Sequence, residues 1–212
     1  MQRAVGNDII FGMQKTIYLD NNATTMVAPE VFESMVPFFT EFYGNPSSMH
    51  YFGGQVAKYI GAAREEVARF INADPEEIIF TSCATESDNT AVRGIADYYG
   101  KDLKVITSKV EHPAVLQPVR RLKSAGHECV EIGVDGFGRL DFDSLREELQ
   151  KCSGPKLVTV MWANNETGTI FPVEKISEIC RQYNAIFHTD AVQAVGKIPI
   201  DMSKNSIDFL SL

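Results

Sequence analysis

The sequence predicts an α/β fold: a mainly parallel sheet with helices on both faces. Three observations carry that prediction. Strand-like and helix-like segments alternate from residue 77 onward, the strand-like runs such as Val158-Thr159-Val160-Met161 are nearly continuous in apolar character, and four such runs pass straight into clusters of polar, reactive side chains. Strands that do not alternate are buried on both faces, and the intervening helices supply the crossovers a parallel sheet requires. Ligands of open α/β sheets sit at strand carboxyl ends, so the four polar clusters are expected to converge on one pocket.

Each element follows from local chemistry. Residues 1–17 read as an opening arm, with Thr16 to Asp20 extended, and residues 18–212 as one large domain. Pro29 is placed for the first turn of a helix running through Val31, Met35 and Phe38 or Phe39, which Pro37 must bend or interrupt. Over 54–72, Val56, Tyr59, Ile60, Ala63, Val67, Phe70 and Ile71 recur at helical spacing, opposite Lys58, Arg64, Glu65, Glu66 and Arg69. There follow a strand at 78–81, a helix at 86–98, a strand at 105–108, a helix at 113–124 and a strand at 129–132. Asp135-Gly136-Phe137-Gly138-Arg139 is a turn by composition. A helix at 143–151, a strand at 157–161, a helix at 174–183 and strands at 185–188 and 207–211 complete the pattern. The loop that should follow the last strand is expected beyond Leu212.

Composition narrows the functional classes. With 212 residues and 44% hydrophobic content the chain can bury a substantial core. Lys and Arg total 20 against 28 Asp and Glu, a net charge of −8, which argues against nucleic acid or a membrane surface as partner and favours small molecules or proteins. Ile9-Ile10-Phe11 is too short for a secretory signal, and no run approaches a membrane span. Four cysteines without a C-x-x-C pair fit reduced thiols in a cytoplasm. The four histidines show no H-x-x-x-H or Cys/His grouping, so no metal site is expected.

Four constellations carry chemistry, each with a plainer alternative. Ser82-Cys83-Ala84-Thr85-Glu86-Ser87-Asp88-Asn89 joins a strand to a helix, where free N–H groups and a Thr hydroxyl suit a phosphate, or where Ser and Thr merely cap. His112 follows Glu111 and precedes Pro113, placed either to lie over a bound ring and move a proton or to serve structure. Asp190 ends an apolar strand with Gln193 three residues on. It either caps the next turn or, opposite a pyridine ring, keeps the ring nitrogen protonated and makes the ring an electron sink. Trp162-Ala163-Asn164-Asn165-Glu166-Thr167-Gly168 offers amides for a phenolic oxygen or a carboxylate, or a turn closed by glycine. With no G-x-G-x-x-G and no G-x-x-x-x-G-K-[ST], a single phosphate fits better than a dinucleotide or a P-loop nucleotide.

These loops, in this order, resemble the cysteine desulfurases of the fold-type I pyridoxal phosphate family. The resemblance extends to Tyr18-Leu19-Asp20-Asn21-Asn22-Ala23-Thr24-Thr25, to Gly44-Asn45-Pro46-Ser47-Ser48-x-His50, and to the run from Phe187 to Lys197, covering the chain from about Tyr18 to Leu212. The 81–88 and 161–168 segments are most similar to the NifS branch, associated with nitrogenase cluster assembly. The resemblance implies that residues 18–212 are the large domain that binds pyridoxal 5'-phosphate. Ala84 and Thr85 would hold its phosphate, His112 would stack on the ring, and Asp190 would pair with the pyridine nitrogen. Gln193 would contact the ring hydroxyl, and Asn165 would lie between that hydroxyl and the substrate carboxylate. Asn22, Ala23 and Thr24 would lie near the substrate.

The implied reaction removes sulfur from L-cysteine, leaving alanine and an enzyme persulfide for an iron–sulfur scaffold protein, in a cytoplasmic homodimer. Cys83 is read as structural, because the family's sulfur-accepting cysteine belongs to a later loop. The Schiff-base lysine, the nucleophilic cysteine, the carboxylate-binding arginine and the small domain are all expected past Leu212. No lysine from Lys101 onward is read as following a strand at the pocket edge. The chain is therefore expected not to turn over alone. The rival readings are a non-catalytic dimerisation or scaffold-binding module and, among enzymes, a selenocysteine lyase or another fold-type I lyase.

Overall fold

The computed structural model describes residues 17–212, so the expected arm, apart from Ile17, lies outside the described residues. Five strands form one sheet: β1 (Lys104–Ser108), β2 (Glu128–Ile132), β3 (Lys156–Thr159), β4 (Ile186–Asp190) and β5 (Phe209–Ser211). All neighbouring pairs are parallel, in the order β2-β1-β3-β4-β5. The winding reverses between β1 and β3, where loops diverge to opposite faces and leave a crevice at the carboxyl edge.

Among the described residues seven α-helices accompany the sheet: α1 (Pro29–Met35), α2 (Pro37–Thr40), α3 (Tyr51–Ile71), α4 (Ala84–Tyr99), α5 (Pro113–Ser124), α6 (Phe142–Gln150) and α7 (Val173–Gln182). Adjacent strand residues face opposite sides, and the core divides accordingly. Val105 and Leu157 pack with Val92 and Ile95 of α4 and Val115 and Val119 of α5. Ile106, Val158 and Phe187 pack with Leu145 and Leu149 of α6 and Ile176 and Ile179 of α7. Each such side chain, fully withdrawn from water, stabilises the fold by about 1.5–3 kcal/mol.

Local signals set the ends. His50 caps α3, its Nδ1 accepting the Gly53 N–H at 3.2 Å. Gly53 is required there, because a Cβ would lie 2.7 Å from the carbonyl oxygens of Asn45 and Ser48. Asp141 caps α6 by accepting the N–H groups of Asp143 and Ser144. Pro37 interrupts the first helix as expected, separating α1 from α2.

Four expectations need correction. Residues 78–81 form no strand; Ile79, Phe80 and Thr81 make no backbone hydrogen bond to a neighbouring segment, so a sequence with strong strand character lacks the ladder that would define one. Helix α3 begins at Tyr51, where His50 supplies the cap, and its apolar stripe is only partly covered: Val56, Ala68 and Ile71 are buried, whereas Tyr59, Ile60 and Phe70 are exposed. Strand β3 closes at Thr159, although the Val160 and Trp162 N–H groups still donate to His188 and Asp190 carbonyls of β4. Strand β4 runs on through Asp190, which makes that carboxylate part of the sheet's edge.

Candidate active site

The amino end of α4 is open to an anion. Its N-cap residue, Cys83, makes no side-chain capping hydrogen bond to the helix, and among the described residues the Ala84 N–H and the Thr85 hydroxyl meet no partner. Glu86 folds back over the helix start, its carboxylate accepting both the N–H and the hydroxyl of Ser82 at 2.6 Å. Cys83 is exposed. Although the sulfur does not cap, the nearby Glu86 N–H and Ser82 hydroxyl hold its thiol below the usual range.

His112 closes the next side. As N-cap of α5 its Nδ1 accepts the Ala114 N–H at 3.1 Å, which fixes the ring and leaves Nε2 free of protein partners. Asn89 joins this loop to the start of α4: its amide donates to the Thr85 carbonyl at 2.8 Å and to the Ala114 carbonyl at 3.3 Å. The second contact depends on Pro118, which has no N–H to offer Ala114 within the helix.

Asp190 is 6% exposed at the end of β4. One carboxylate oxygen accepts the Val192 N–H at 3.0 Å, and the other meets no donor among the described residues. Burial raises its pKa, while the Val192 N–H and the charge of a protonated His112 oppose that rise. The charge of His112 is thus felt at Asp190, and both residues stand at the carboxyl edge of the sheet, after β1 and at the end of β4. Glu111 lies beside them, wholly buried, accepting the Ser108 hydroxyl at 2.5 Å and the Met161 N–H at 2.8 Å. Desolvation pushes its carboxyl up to about 8 despite those two donors. This residue ties the end of β1 to the end of β3.

On the far side, the Gln193 amide donates to the Asn22 carbonyl at 3.3 Å, which brings the amino-terminal turn to the site. Ala23 and Thr24 continue that turn, their N–H groups donating to the Asp20 carbonyl, and both are exposed. The adjacent asparagines divide their work. Buried Asn164 organises the loop, accepting from the Glu166 and Thr167 N–H groups and donating to the Val110 carbonyl. Half-buried Asn165 meets only Glu166 and keeps most of its polar surface available.

Two lysines bear on the expectation that none approaches the edge. Lys109 does follow a strand directly, but its charge acts on Glu131 of β2, on the side away from Asp190. Lys197 contacts Gln193 through its amine. Among the described residues no group of three or more His, Cys, Asp or Glu is arranged to hold a metal ion, and no helix is long and apolar enough to cross a membrane.

The sequence reading missed Glu111, Asp88, Asn89 and the part played by His188. The only available signal was position: Glu111 directly precedes His112, and Asp88 and Asn89 follow Thr85 by one helical turn.

Comparison with known proteins is consistent across sequence and structure. The chain is 51% identical over 196 residues to a cysteine desulfurase of Trichormus azollae and 48% identical over 197 residues to the cysteine desulfurase NifS of Azotobacter vinelandii. Each alignment covers 92% of this chain and 48% of the relative, so the chain spans about half the length of the curated relatives it matches. A solved NifS-like protein superposes with a TM-score of 0.85 at 40% identity, covering 92% of this chain and 54% of the other. A structure described as SspA in complex with cysteine superposes with a TM-score of 0.87 at 34% identity, covering 92% and 57%. The sequence model of the aminotransferase class-V family matches residues 17–212, and the chain belongs to that family.

Proposed function

We propose that residues 18–212 are the pyridoxal 5'-phosphate-binding domain of a cysteine desulfurase. The observation that carries the reading is Asp190, a buried carboxylate with one oxygen satisfied by Val192 and the other left for a cationic N–H donor. Such a group is costly unless a donor meets it, and a protonated pyridine nitrogen is a donor of the right kind. Support also comes from the uncapped start of α4, where the Ala84 and Thr85 N–H groups and the Thr85 hydroxyl would receive the phosphate. When bound, the cofactor supplies an electron sink for bond cleavage next to the substrate's α-carbon.

The chain's own residues then have distinct tasks. His112, held by Ala114, would lie over the ring and take or return a proton at Nε2. Gln193 would meet the ring hydroxyl, and Asn165 would sit between that hydroxyl and the carboxylate of L-cysteine. Asn22, Ala23 and Thr24 would line the substrate side, where Asn22 already meets Gln193. Glu111 would keep the His112 and Asn164 loops in register. In the complete reaction a thiol takes the sulfur of cysteine as a persulfide and alanine leaves, so atoms balance without an external oxidant. An iron–sulfur scaffold protein is the acceptor in this reading, and the enzyme is a cytoplasmic homodimer.

Equilibrium titration with pyridoxal phosphate tests the reading. The chain is expected to bind it, and Asp190→Ala to weaken binding at least tenfold, the effect of losing a charge-assisted contact of about 1.5–3 kcal/mol. Saturable binding that Asp190→Ala leaves unchanged would place the ligand elsewhere. Alanine release from cysteine is the second measurement. The chain by itself is expected to release none, since it spans about half the length of its cysteine desulfurase relatives. Turnover by the purified chain alone would refute that part.

A further inference from the structure

His188 lies two residues before Asp190 on β4, is fully buried, and is the centre of a polar cluster that the proposed reaction does not use. Its Nδ1 is 2.8 Å from the Thr159 hydroxyl of β3 and its Nε2 is 3.0 Å from the Ser211 hydroxyl of β5. The Ser87 hydroxyl of α4 donates to that same Ser211 oxygen at 2.8 Å. Asp88, 1% exposed, holds its carboxylate 3.6 Å from His188 Nε2 with no hydrogen-bond partner of its own. Three sheet strands and one helix therefore meet through five polar side chains.

The placement of this cluster gives it a job. Thr85, at the anion-binding start of α4, is two residues from Ser87, a rise of about 3 Å along a helix. Asp190 is two residues from His188, about 6.6 Å along a strand, and is in register with Ser211 across the β4–β5 pair. Both spacers are regular secondary structure and cannot stretch. The distance between the phosphate end and the pyridine-nitrogen end of the site is thus set by how α4 is fastened to β4 and β5, and Ser87–Ser211–His188 is the polar fastening between them.

We infer that Ser87, Ser211 and His188 are positioning residues that fix the span between the phosphate cradle at Thr85 and the ring-nitrogen carboxylate at Asp190, so that one ligand can engage both. The inference rests on the pyridoxal phosphate reading and adds to it how the two half-sites are kept at ligand length. A site that must match two ends of a rigid molecule loses the advantage of joining them when the ends drift by a fraction of an ångström. Each end alone does not.

The experiment compares three probes on the same chain by calorimetric titration: pyridoxamine 5'-phosphate, which needs no lysine; pyridoxamine, the ring without phosphate; and inorganic phosphate. Ser211→Ala is expected to raise the Kd of pyridoxamine phosphate about tenfold, as loss of a buried hydrogen-bonded link does, while the Kd of each half-ligand stays within twofold. Ser87→Ala, at a half-buried helix position, cuts the same link from the other side and is expected to give the same loss. The double variant is expected to be no weaker than either single one, because the two hydroxyls act through one contact. Thermal midpoints measured alongside show that the variants are folded.

Pyridoxamine phosphate affinity unchanged in both single variants would overturn the inference. So would a parallel fall in phosphate affinity, or losses that multiply in the double variant. Failure of the unsubstituted chain to bind pyridoxamine phosphate would instead overturn the cofactor reading, and this inference with it.

Discussion

The five-stranded sheet and the amino-terminal helices α1 to α3 both carry large apolar side chains, and these meet different ends. In the sheet region the apolar side chains between the sheet and α6 and α7 find their cover within the chain: Phe187, Leu145, Leu149 and Ile176 are all inaccessible to water, although Phe209 on the edge strand β5 stays exposed. In the helical region Phe32, Phe39, Tyr43 and Tyr51 remain largely exposed among the described residues. Hydrophobic periodicity states that a face must be covered and does not say by what. The candidate site lies on the covered side of that divide, which is why its polar groups can be held in fixed places.

The largest test of the contrast is a truncation in the sheet. Phe187→Ala empties a central position of β4, packed from α7's side, and is expected to cost about 3–5 kcal/mol in chemical denaturation. A loss below about 1 kcal/mol would mean that the sheet is no better packed than the helices that precede it. Next in size is Gly53→Ala, which probes a tight spot of the amino-terminal region where backbone meets backbone. The added methyl would meet two backbone carbonyls that cannot rotate away, and overpacking of this sort costs about 1–3 kcal/mol. If the variant is as stable as the parent, the 44–50 loop does not close on α3 as described.

A third test uses pH, and its sign follows from the buried groups. Asp88 is pushed up to about 7 by burial and the charge of Asp190, so its protonated form supports the fold, and that support is lost as pH rises through about 7. Glu111, pushed up to about 8, acts in the same direction. His188, lowered to about 4 by burial, acts oppositely, its contribution being complete above its ordinary value near 6.5 and lost as pH falls through about 4. Above pH 6.5 the two buried carboxyls dominate, and stability is expected to decline toward pH 8. Asp88→Asn should remove roughly 0.5–1 kcal/mol of that decline in denaturant midpoints taken at both pH values. An unchanged slope would show that Asp88 is already ionised at pH 6.5.

What could be read from the sequence follows the same divide. The strands β1 to β5 and helices α4 to α7 were legible because their apolar runs and caps are local facts that their neighbours in the same chain confirm, as with Pro113 at the first turn of α5. Residues 78–81 were not, since pairing is a relation between segments and Ile78-Ile79-Phe80-Thr81 alone shows only propensity. Within the site, Asp190, His112, Thr85 and Asn165 stood out as polar groups directly after apolar runs. Glu111 and Asp88 did not. A carboxyl beside a helix start looks solvated in sequence, and only the packing of α4 against β4 and of one loop under another makes these two buried.

The smallest expected effect is the sharpest check on the comparison. Phe39 on α2 is 72% exposed and takes no part in the aromatic cluster that Phe38, Phe42 and Tyr59 form beside it. Phe39→Ser exchanges an apolar ring already in water for a small polar group, removing no core contact and leaving no buried donor unmatched. Its expected cost in the isolated chain is below about 0.5 kcal/mol, an order of magnitude less than the same loss of aromatic surface at Phe187. If denaturation instead shows a loss of 2 kcal/mol or more, Phe39 is covered in solution, and the uncovered face of α1 and α2 has found a partner such as a second copy of the chain. Sedimentation at two concentrations would then show that association directly, because stability gained from a partner rises with protein concentration and stability gained from a core does not.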